Sequence, residues 1–550
     1  MTKMMNLAIL LDNEEIFLWE YQVLDELLNS GLANFNVIIK NDKKSNDVRH
    51  NHYSLFYIFH EKLDRYLYKK EFDFDKKVNI TNRLSTTPLI NLTIETLVEG
   101  QINTNINNIH NYDLDFIINF GKAPVKKELA NACKYGILTY NIGNYSNYDI
   151  TPSCYWEVVN NMFEIEVVIR LFNKEYEKEI EIFRTGILPH SNSINLSRNS
   201  SYKLASLLIP RIISGIHLNG NAYIEELKRN FNYDEELSGF TGYKAPSSVK
   251  AFSNLISVFN RFIAYRFWYH YTGYWSLIYK LNDKNELFPS NPGTFKTLKA
   301  PKGTFWADPF VISRDKHHYI FVEEYIYKTG KGHISVLKLD EKGVLLNCER
   351  ILEKLYHLSY PHIFEHGGEY YMIPETGSNK TIELYKCTSF PNKWVFVRNI
   401  MENISSRDTT VFYYNNKWWL FTSIIELTTT TLSFNELFLY YSNDLFSSDW
   451  ISHPENPIVS DHKVSRPAGK IFIKDNKIYR PSQDCSGIYG KALNINQIIK
   501  LTENEYEEIP VKKIEPNWNK KVKGTHTYNS NDKITVMDVF TERKRINSRN

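Results

Sequence analysis

Gly303-Thr-Phe-Trp-Ala-Asp-Pro-Phe-Val-Ile312, followed by His318-Tyr-Ile-Phe-Val-Glu-Glu324, reads as a turn, a short strand carrying one acid (Asp308), a polar hairpin and a second apolar strand ending in Glu323 and Glu324. The same order returns four more times. Ser359-Tyr-Pro-His-Ile-Phe364 leads through Glu365-His-Gly-Gly-Glu369 to Tyr370-Tyr-Met-Ile-Pro-Glu375. Asp408-Thr-Thr-Val-Phe412 leads to Trp418-Trp-Leu-Phe-Thr-Ser423, and Arg466-Pro-Ala-Gly-Lys-Ile-Phe472 to Ile478-Tyr-Arg-Pro-Ser-Gln-Asp484. Gly524-Thr-His-Thr-Tyr528 leads to Ile534-Thr-Val-Met537. The starts fall roughly 46–60 residues apart, the spacing of propeller blades rather than of a solenoid. Each hairpin is rich in Asn, Asp, Gly and Lys between β-branched and aromatic runs, as a tight antiparallel turn requires. Third strands follow at His333–Lys338, Thr381–Tyr385 and Glu436–Ser442. A β-sandwich would not repeat this whole order, so a five-bladed β-propeller is expected over 300–545.

Composition bounds the remainder. A chain of 550 residues holds two or more domains. A net charge of +3 gives no field for general nucleic-acid binding. The five cysteines are scattered, with no Cys-x-x-Cys pair. They suggest neither a disulfide framework nor a zinc site, and fit a reducing cytoplasm. Leu7–Leu11 is too short for a signal peptide and runs directly into Asp12, Glu14 and Glu15, so it reads as a first strand.

From that strand the pattern alternates. A helix over Ile16–Leu28 is followed by a strand at Phe35–Ile39, and a strand at Pro88–Ile94 by a helix to His110. Leu114–Phe120 is a strand, Lys126–Tyr135 a helix and Gly136–Tyr140 a strand. Such alternation predicts an open α/β sheet over 1–200, with ligands beyond the carboxyl ends of its strands, at Phe120–Lys122 and Asn141–Tyr155. Asp115-Phe-Ile-Ile-Asn-Phe-Gly121, Tyr135-Gly-Ile-Leu-Thr-Tyr-Asn-Ile-Gly143 and Tyr155-Trp-Glu157 resemble the amino-terminal domain of folate-dependent formyltransferases. That resemblance implies an Asn and a His two positions apart, and a later Asp. Here Thr139 and Asn141 hold the paired positions, and Phe183–Pro189 offers no Asp. An Asn cannot exchange a proton near neutral pH. Formyl or acyl transfer to an amino sugar, with 10-formyltetrahydrofolate as donor, is therefore only the alternative function.

Residues 201–299 read as a helical connector, kinked at Pro210, with a linker over Asn219–Val249. The aromatic stretch Leu255 to Lys280 reads as a helix packed between domains; its rival is an interfacial helix making peripheral membrane contact through 255–280.

In a propeller the first strand of each blade lines the channel. Asp308, His362, Asp408, Arg466 and His526 therefore converge, and second-strand ends add Glu323, Glu324, Glu375, Arg480 and Asp484. Mixed charge in a channel suits a sugar or sugar phosphate: carboxylates take hydroxyls or protons, and arginines take anions. Trp306-Ala-Asp-Pro-Phe310, Tyr360-Pro-His-Ile-Phe364, Arg407-Asp-Thr-Thr410 and Tyr441-Ser-Asn-Asp-Leu-Phe446 resemble the five-bladed propellers of arabinanase-, xylosidase- and invertase-type glycosidases. Ser465-Arg-Pro-Ala-Gly469, Arg480-Pro-Ser-Gln-Asp484 and Gly524-Thr-His-Thr527 resemble more closely the amino-terminal propeller of glucosamine inositolphosphorylceramide transferases and its bacterial relatives. The resemblance implies a carbohydrate-active protein, a transferase in cell-envelope polysaccharide or glycolipid assembly. Asp308 matches the glycosidase base or nucleophile, and Glu375 or Asp408 stands where an acid is needed. Substrate would be held by Glu324, His362, Arg407, Arg466, Arg480, Asp484 and His526. The expected partners are a sugar, sugar nucleotide or glycolipid, with no metal and no nucleic acid, in the cytoplasm at the inner face of the membrane. A non-catalytic glycan-binding scaffold is the further alternative.

Overall fold

The structure is a computed structural model. It describes residues 4–41, 54–68, 72–94, 104–121, 125–143, 153–172, 179–230, 246–263, 272–282, 291–424, 436–486 and 488–543. The chain divides into two units, Met1–Ala264 and Tyr265–Asn550.

The first unit is an open α/β fold. Its strands are β1 (Met5–Leu11), β2 (Ala33–Asn41), β3 (Leu89–Leu92), β4 (Leu114–Asn119), β5 (Cys133–Ile142), β6 (Ile165–Phe172) and β7 (Ile180–Ile187). They form one sheet in the order β3-β2-β1-β4-β5-β6-β7. The first five are parallel, and β6 and β7 continue antiparallel. Both faces are covered, so central strands such as Leu7–Leu11 are continuously apolar. Chain order reverses between β1 and β4, which opens a crevice at the carboxyl ends of these strands. The helix expected over Lys126–Tyr135 is a single turn, Lys127–Ala130, because strand β5 already begins at Cys133.

Helices α1 (Leu18–Asn29), α2 (Leu55–Leu67), α3 (Ile194–Asn219) and α4 (Ser248–Ile263) pack in this unit. The expected connector is thus largely absorbed into the first unit. Pro210 lies inside α3 without ending it, since Leu208, Ile209, Ile212 and Ile213 are all buried in the core beneath. Of the expected linker, Asn221–Asn230 and the start of α4 are helical, and 231–245 lies outside the described residues.

The second unit is a five-bladed β-propeller. Four blades are four-stranded antiparallel sheets in chain order, starting at Thr304, Ser359, Ser406 and Phe472. The fifth is built from both ends of the unit. Thr272–Leu281 pairs residue for residue with Ile534–Arg543, and Lys296–Leu298 forms its outer edge. This corrects the helix expected through 255–280: α4 stops at Ile263, and Trp275–Tyr279 is a strand. Trp275, Leu277, Ile278 and Tyr279 are buried. A segment apolar on every side has no helical stripe, yet suits a strand covered on both faces. Pairing the two ends closes the ring and leaves no open edge between first and last blade.

Candidate functional site

Three inner strands carry the same irregularity at the same place. Pairing register breaks between Ala307 and Phe310, between Ser359 and His362, and between Arg407 and Thr410. The bulged residues Asp308, Tyr360 and Asp408 take left-handed φ values of 51°, 44° and 51°. Such backbone is costly for non-glycine residues and persists where surroundings enforce it. Here the enforcing groups are carboxylates. The Asp308 N–H donates to Asp538 (3.1 Å), the Tyr360 N–H to Asp308 (3.2 Å) and the Asp408 N–H to Glu375 (3.3 Å). Each bulge thus points a backbone donor at an acid of the adjoining blade.

Around Asp308 these contacts form a closed network. Its carboxylate also accepts from Thr527 Oγ1 at 2.8 Å and lies 3.5 Å from His526 Nε2. The other imidazole nitrogen is 2.6 Å from Asp538, which accepts as well from the N–H groups of His526 and Thr527, both at 2.9 Å. Trp275 of the closing strand stacks on the imidazole, centroids 3.9 Å apart. Burial lowers the His526 pKa, but Asp538 and Asp308 outweigh it and the net shift is upward. Asp308, His526 and Asp538 each bring one donor atom to within 4.8 Å of the others, close enough to hold a metal ion. Asp538 already receives the backbone N–H groups of Asp308, His526 and Thr527, which makes it an anchor for the bulge more than an open ligand.

A second network surrounds Asp408. Its carboxylate accepts from Arg466 Nε and, at 3.0 Å, from Gln483. Glu375 accepts from Arg407 at 2.9 Å and lies 4.0 Å from Arg466. The Tyr489 ring covers the Arg466 guanidinium at 4.8 Å and meets His526 edge-on. Gly377 lets Arg407 pass, since a Cβ there would lie 2.5 Å from its guanidinium. Burial, then the neighbouring acids, raise the pKa of Asp308 against the opposing His526, and that of Asp408 against the opposing Arg466. Glu323 rises furthest, through burial and then Asp308, Glu375, Asp408 and Asp538. The His357 imidazole lies 3.4 Å from it, and burial holds that ring's own pKa down, so it offers little positive charge in return. Burial and neighbouring acids thus both favour the protonated form of Glu323.

The expected residues divide accordingly. Asp308, Asp408, Glu375, Arg407, Arg466 and His526 come together. Glu324 does not: it faces the other side of its strand, accepting from Trp306, His333 and Ser335. His362 is displaced by the bulge, so that Tyr360 holds the matching position. The His362 ring contacts the Val411 carbonyl, and burial takes its pKa down to about 3. Arg480 and Asp484 pair with Glu508 and Lys513 on the outer strand of the fourth blade. Glu323, expected among the converging strand ends though not assigned to hold substrate, completes the cluster together with Asp538 and Tyr489, which were not expected. Glu323 pairs with Ala307 and Glu375 with Ser359, each beside its bulge, so aligning the first two repeats singles out Glu323.

The first unit has a pocket of about 230 Å³ at the ends of β4 and β5, lined by Trp19, Asn119, Thr139, Tyr140, Asn141, Arg170 and Glu179 among others. Thr139 donates to Glu179 at 3.2 Å, and the Asn141 amide to the Gly143 carbonyl at 3.3 Å. Among the described residues no histidine lines this pocket.

Residues 294–543 match the family model described as glucosamine inositolphosphorylceramide transferase 1, N-terminal. Over 211 residues the chain is 36% identical to glucosamine inositolphosphorylceramide transferase 1 of Oryza sativa subsp. japonica, covering 38% of this chain and 28% of that protein. The Arabidopsis thaliana protein of the same name is 31% identical over 211 residues, covering 38% and 27%. The chain thus spans little more than a quarter of the length of these relatives. Among solved structures, Zg3597, a family 117 glycoside hydrolase of Zobellia galactanivorans, aligns with 48% of this chain and 90% of its own, at 11% identity and a TM-score of 0.32. Phosphoribosylglycinamide formyltransferase from Bacillus halodurans aligns with 42% of this chain and 100% of its own, at 10% identity and a TM-score of 0.26.

Proposed function

We propose that this chain is a carbohydrate-active transferase whose working site is the polar cluster between the propeller blades. The observation that carries the reading is the meeting of five buried acids with buried Arg466 and His526 and partly exposed Arg407, drawn from all five blades, with Asp308 and Asp408 on left-handed backbone. Strained backbone of this kind clusters at functional sites, which supports a pre-organised site over structural ion pairs alone. Asp308 is the base or nucleophile, held between Thr527 and His526. Glu323, whose proton affinity is raised by burial and then by the neighbouring acids, is the better proton donor, since Glu375 and Asp408 are already committed to arginines. Arg407, about a fifth exposed, is the cation offered to a phosphate or carboxylate at the mouth. The matched relatives are named for transfer to inositolphosphorylceramide, which supports a glycolipid or phosphate-bearing sugar as substrate. A role in cell-envelope glycan assembly, on the cytoplasmic side of a membrane, belongs to the same reading. The five free, scattered cysteines fit a reducing compartment, which supports the cytoplasmic side alone.

The test is a turnover assay of the full chain with sugar nucleotides and an inositol-phosphate glycolipid acceptor, read as released nucleotide. Turnover by the parent that falls about 10²–10⁴-fold in Asp308→Asn supports the assignment. One observation favours a second reading: Asp308 and Asp538 already satisfy neighbouring backbone groups, as in a rigid binding module. Glycan binding without turnover, unaltered in Asp308→Asn, would establish that reading instead.

A further inference from the structure

Helix α4 carries two stripes. Ala251, Asn254 and Val258 are buried, and the helix is pinned there by Asn254 donating to the Tyr155 hydroxyl and by Arg261 donating to the carbonyls of Val158, Val159 and Ser191. The opposite stripe, Val249, Phe252, Ile256 and Phe259, has the same helical spacing and is equally apolar, yet it is exposed. Helix α2 packs alongside with the Phe56 and Phe252 rings 5.0 Å apart, and adds exposed Leu55 and Phe59. A surface helix normally turns polar residues outward, so a contiguous apolar patch of this kind marks a docking surface.

The charges on this face say what docks there. The 16 residues of α4 include no Asp or Glu, and Lys250 is exposed. On α2 the two acids are turned away, Glu61 to Arg198 and Asp64 to the Asn195 N–H, while Lys62 is exposed. We infer that α2 and α4 form a docking face for an anionic lipid surface, lying in the interface with Leu55, Phe56, Phe59, Phe252, Ile256 and Phe259 at acyl depth and Lys62 and Lys250 at the head groups. Aromatic and aliphatic residues, flanking lysines and, among the described residues of α2 and α4, no acid turned outward are what such a surface selects. Among the described residues no helix is long and apolar enough to cross a membrane, so the contact is peripheral. It lies wholly within the first unit and is independent of the propeller site.

Flotation of the full chain with phosphatidylcholine vesicles, with and without phosphatidylserine, tests this. The parent floats with the anionic vesicles. Phe252→Glu with Phe259→Glu lowers that binding by about 10²-fold while the protein stays folded, with only a small loss in the thermal melt, since both rings are about half exposed. Lys62→Gln with Lys250→Gln lowers it about tenfold, on anionic vesicles only. A control pair on outer propeller strands, Val395→Glu with Ile509→Glu, leaves it unchanged. Failure of the parent to float, or flotation retained by the double phenylalanine variant, overturns the proposal. So does a parent dimer in sedimentation that becomes monomeric in that variant without lipid binding, because the face would then join two copies of this chain.

Discussion

The pocket at the ends of β4 and β5 and the cluster between the blades differ in how they hold their polar groups. The pocket is open and about 230 Å³, and its two expected reactive positions are Thr139 and Asn141, spent on Glu179 and a local turn. The propeller cluster is nearly closed, and its acids depend on one another, on two arginines and on left-handed backbone. The first keeps the place where such sheets bind ligands but offers no matched acid–base pair. The second offers titratable groups whose surroundings raise their proton affinities above the ordinary range, a mark of functional sites. Location within a fold therefore says less about chemistry than the company each carboxylate keeps.

That contrast can be broken or sharpened experimentally, the largest effect coming from the ion pair. Arg466→Ala leaves Asp408 buried with only Gln483, and should cost about 3–5 kcal/mol in urea unfolding. Combining it with Asp408→Asn should restore most of the loss, which a simple packing role for Arg466 would not allow. Gly469→Ala comes next. Its Cβ would lie 2.0 Å from the Tyr528 carbonyl at a φ of 135°, and a loss of about 2 kcal/mol or more is expected.

Glu323→Gln gives a smaller, pH-dependent effect. The folded-state pKa of Glu323 is raised, so folded and unfolded chains are both protonated in acid. As pH climbs through the usual carboxylate range the unfolded chain releases its proton first, and the parent loses stability. The variant escapes this loss. Its melting temperature should equal the parent's near about pH 4 and exceed it near about pH 8. A constant difference between the two would show that Glu323 ionises normally. The smallest effects belong to the first unit. Thr139→Ala and Asn141→Ala should each change glycosyl turnover by less than about twofold, and no formyl transfer from a folate donor should be seen.

Much of this architecture was legible because it is local. A hairpin writes its turn residues and its two apolar runs within about 20 residues, so five blades could be counted from repetition alone. The closing strand was not legible. Thr272–Leu281 finds its partner near the other end of the unit, at Ile534–Arg543, and its apolar residues on all sides carry no period. Asp308, Asp408, Glu375, Arg407, Arg466 and His526 were found because polar residues interrupted apolar strands. Glu324 was preferred over Glu323 because two adjacent acids point to opposite faces, and only pairing register decides which faces the cluster. The bulge at Tyr360 moved His362 out of the site for a similar reason, an inserted residue shifting everything after it. Asp538 was missed inside an apolar run whose neighbours Met537 and Val539 read as core.

The most direct test compares Asp308→Asn with Asn141→Ala in one transfer assay, using the same full-length protein, donor and acceptor. The propeller account predicts that Asp308→Asn lowers turnover by about 10²–10⁴-fold in a protein that still folds, while Asn141→Ala stays near the parent. The opposite result, an active Asp308→Asn and an inactive Asn141→Ala that still folds, would move the chemistry to the first unit and contradict it.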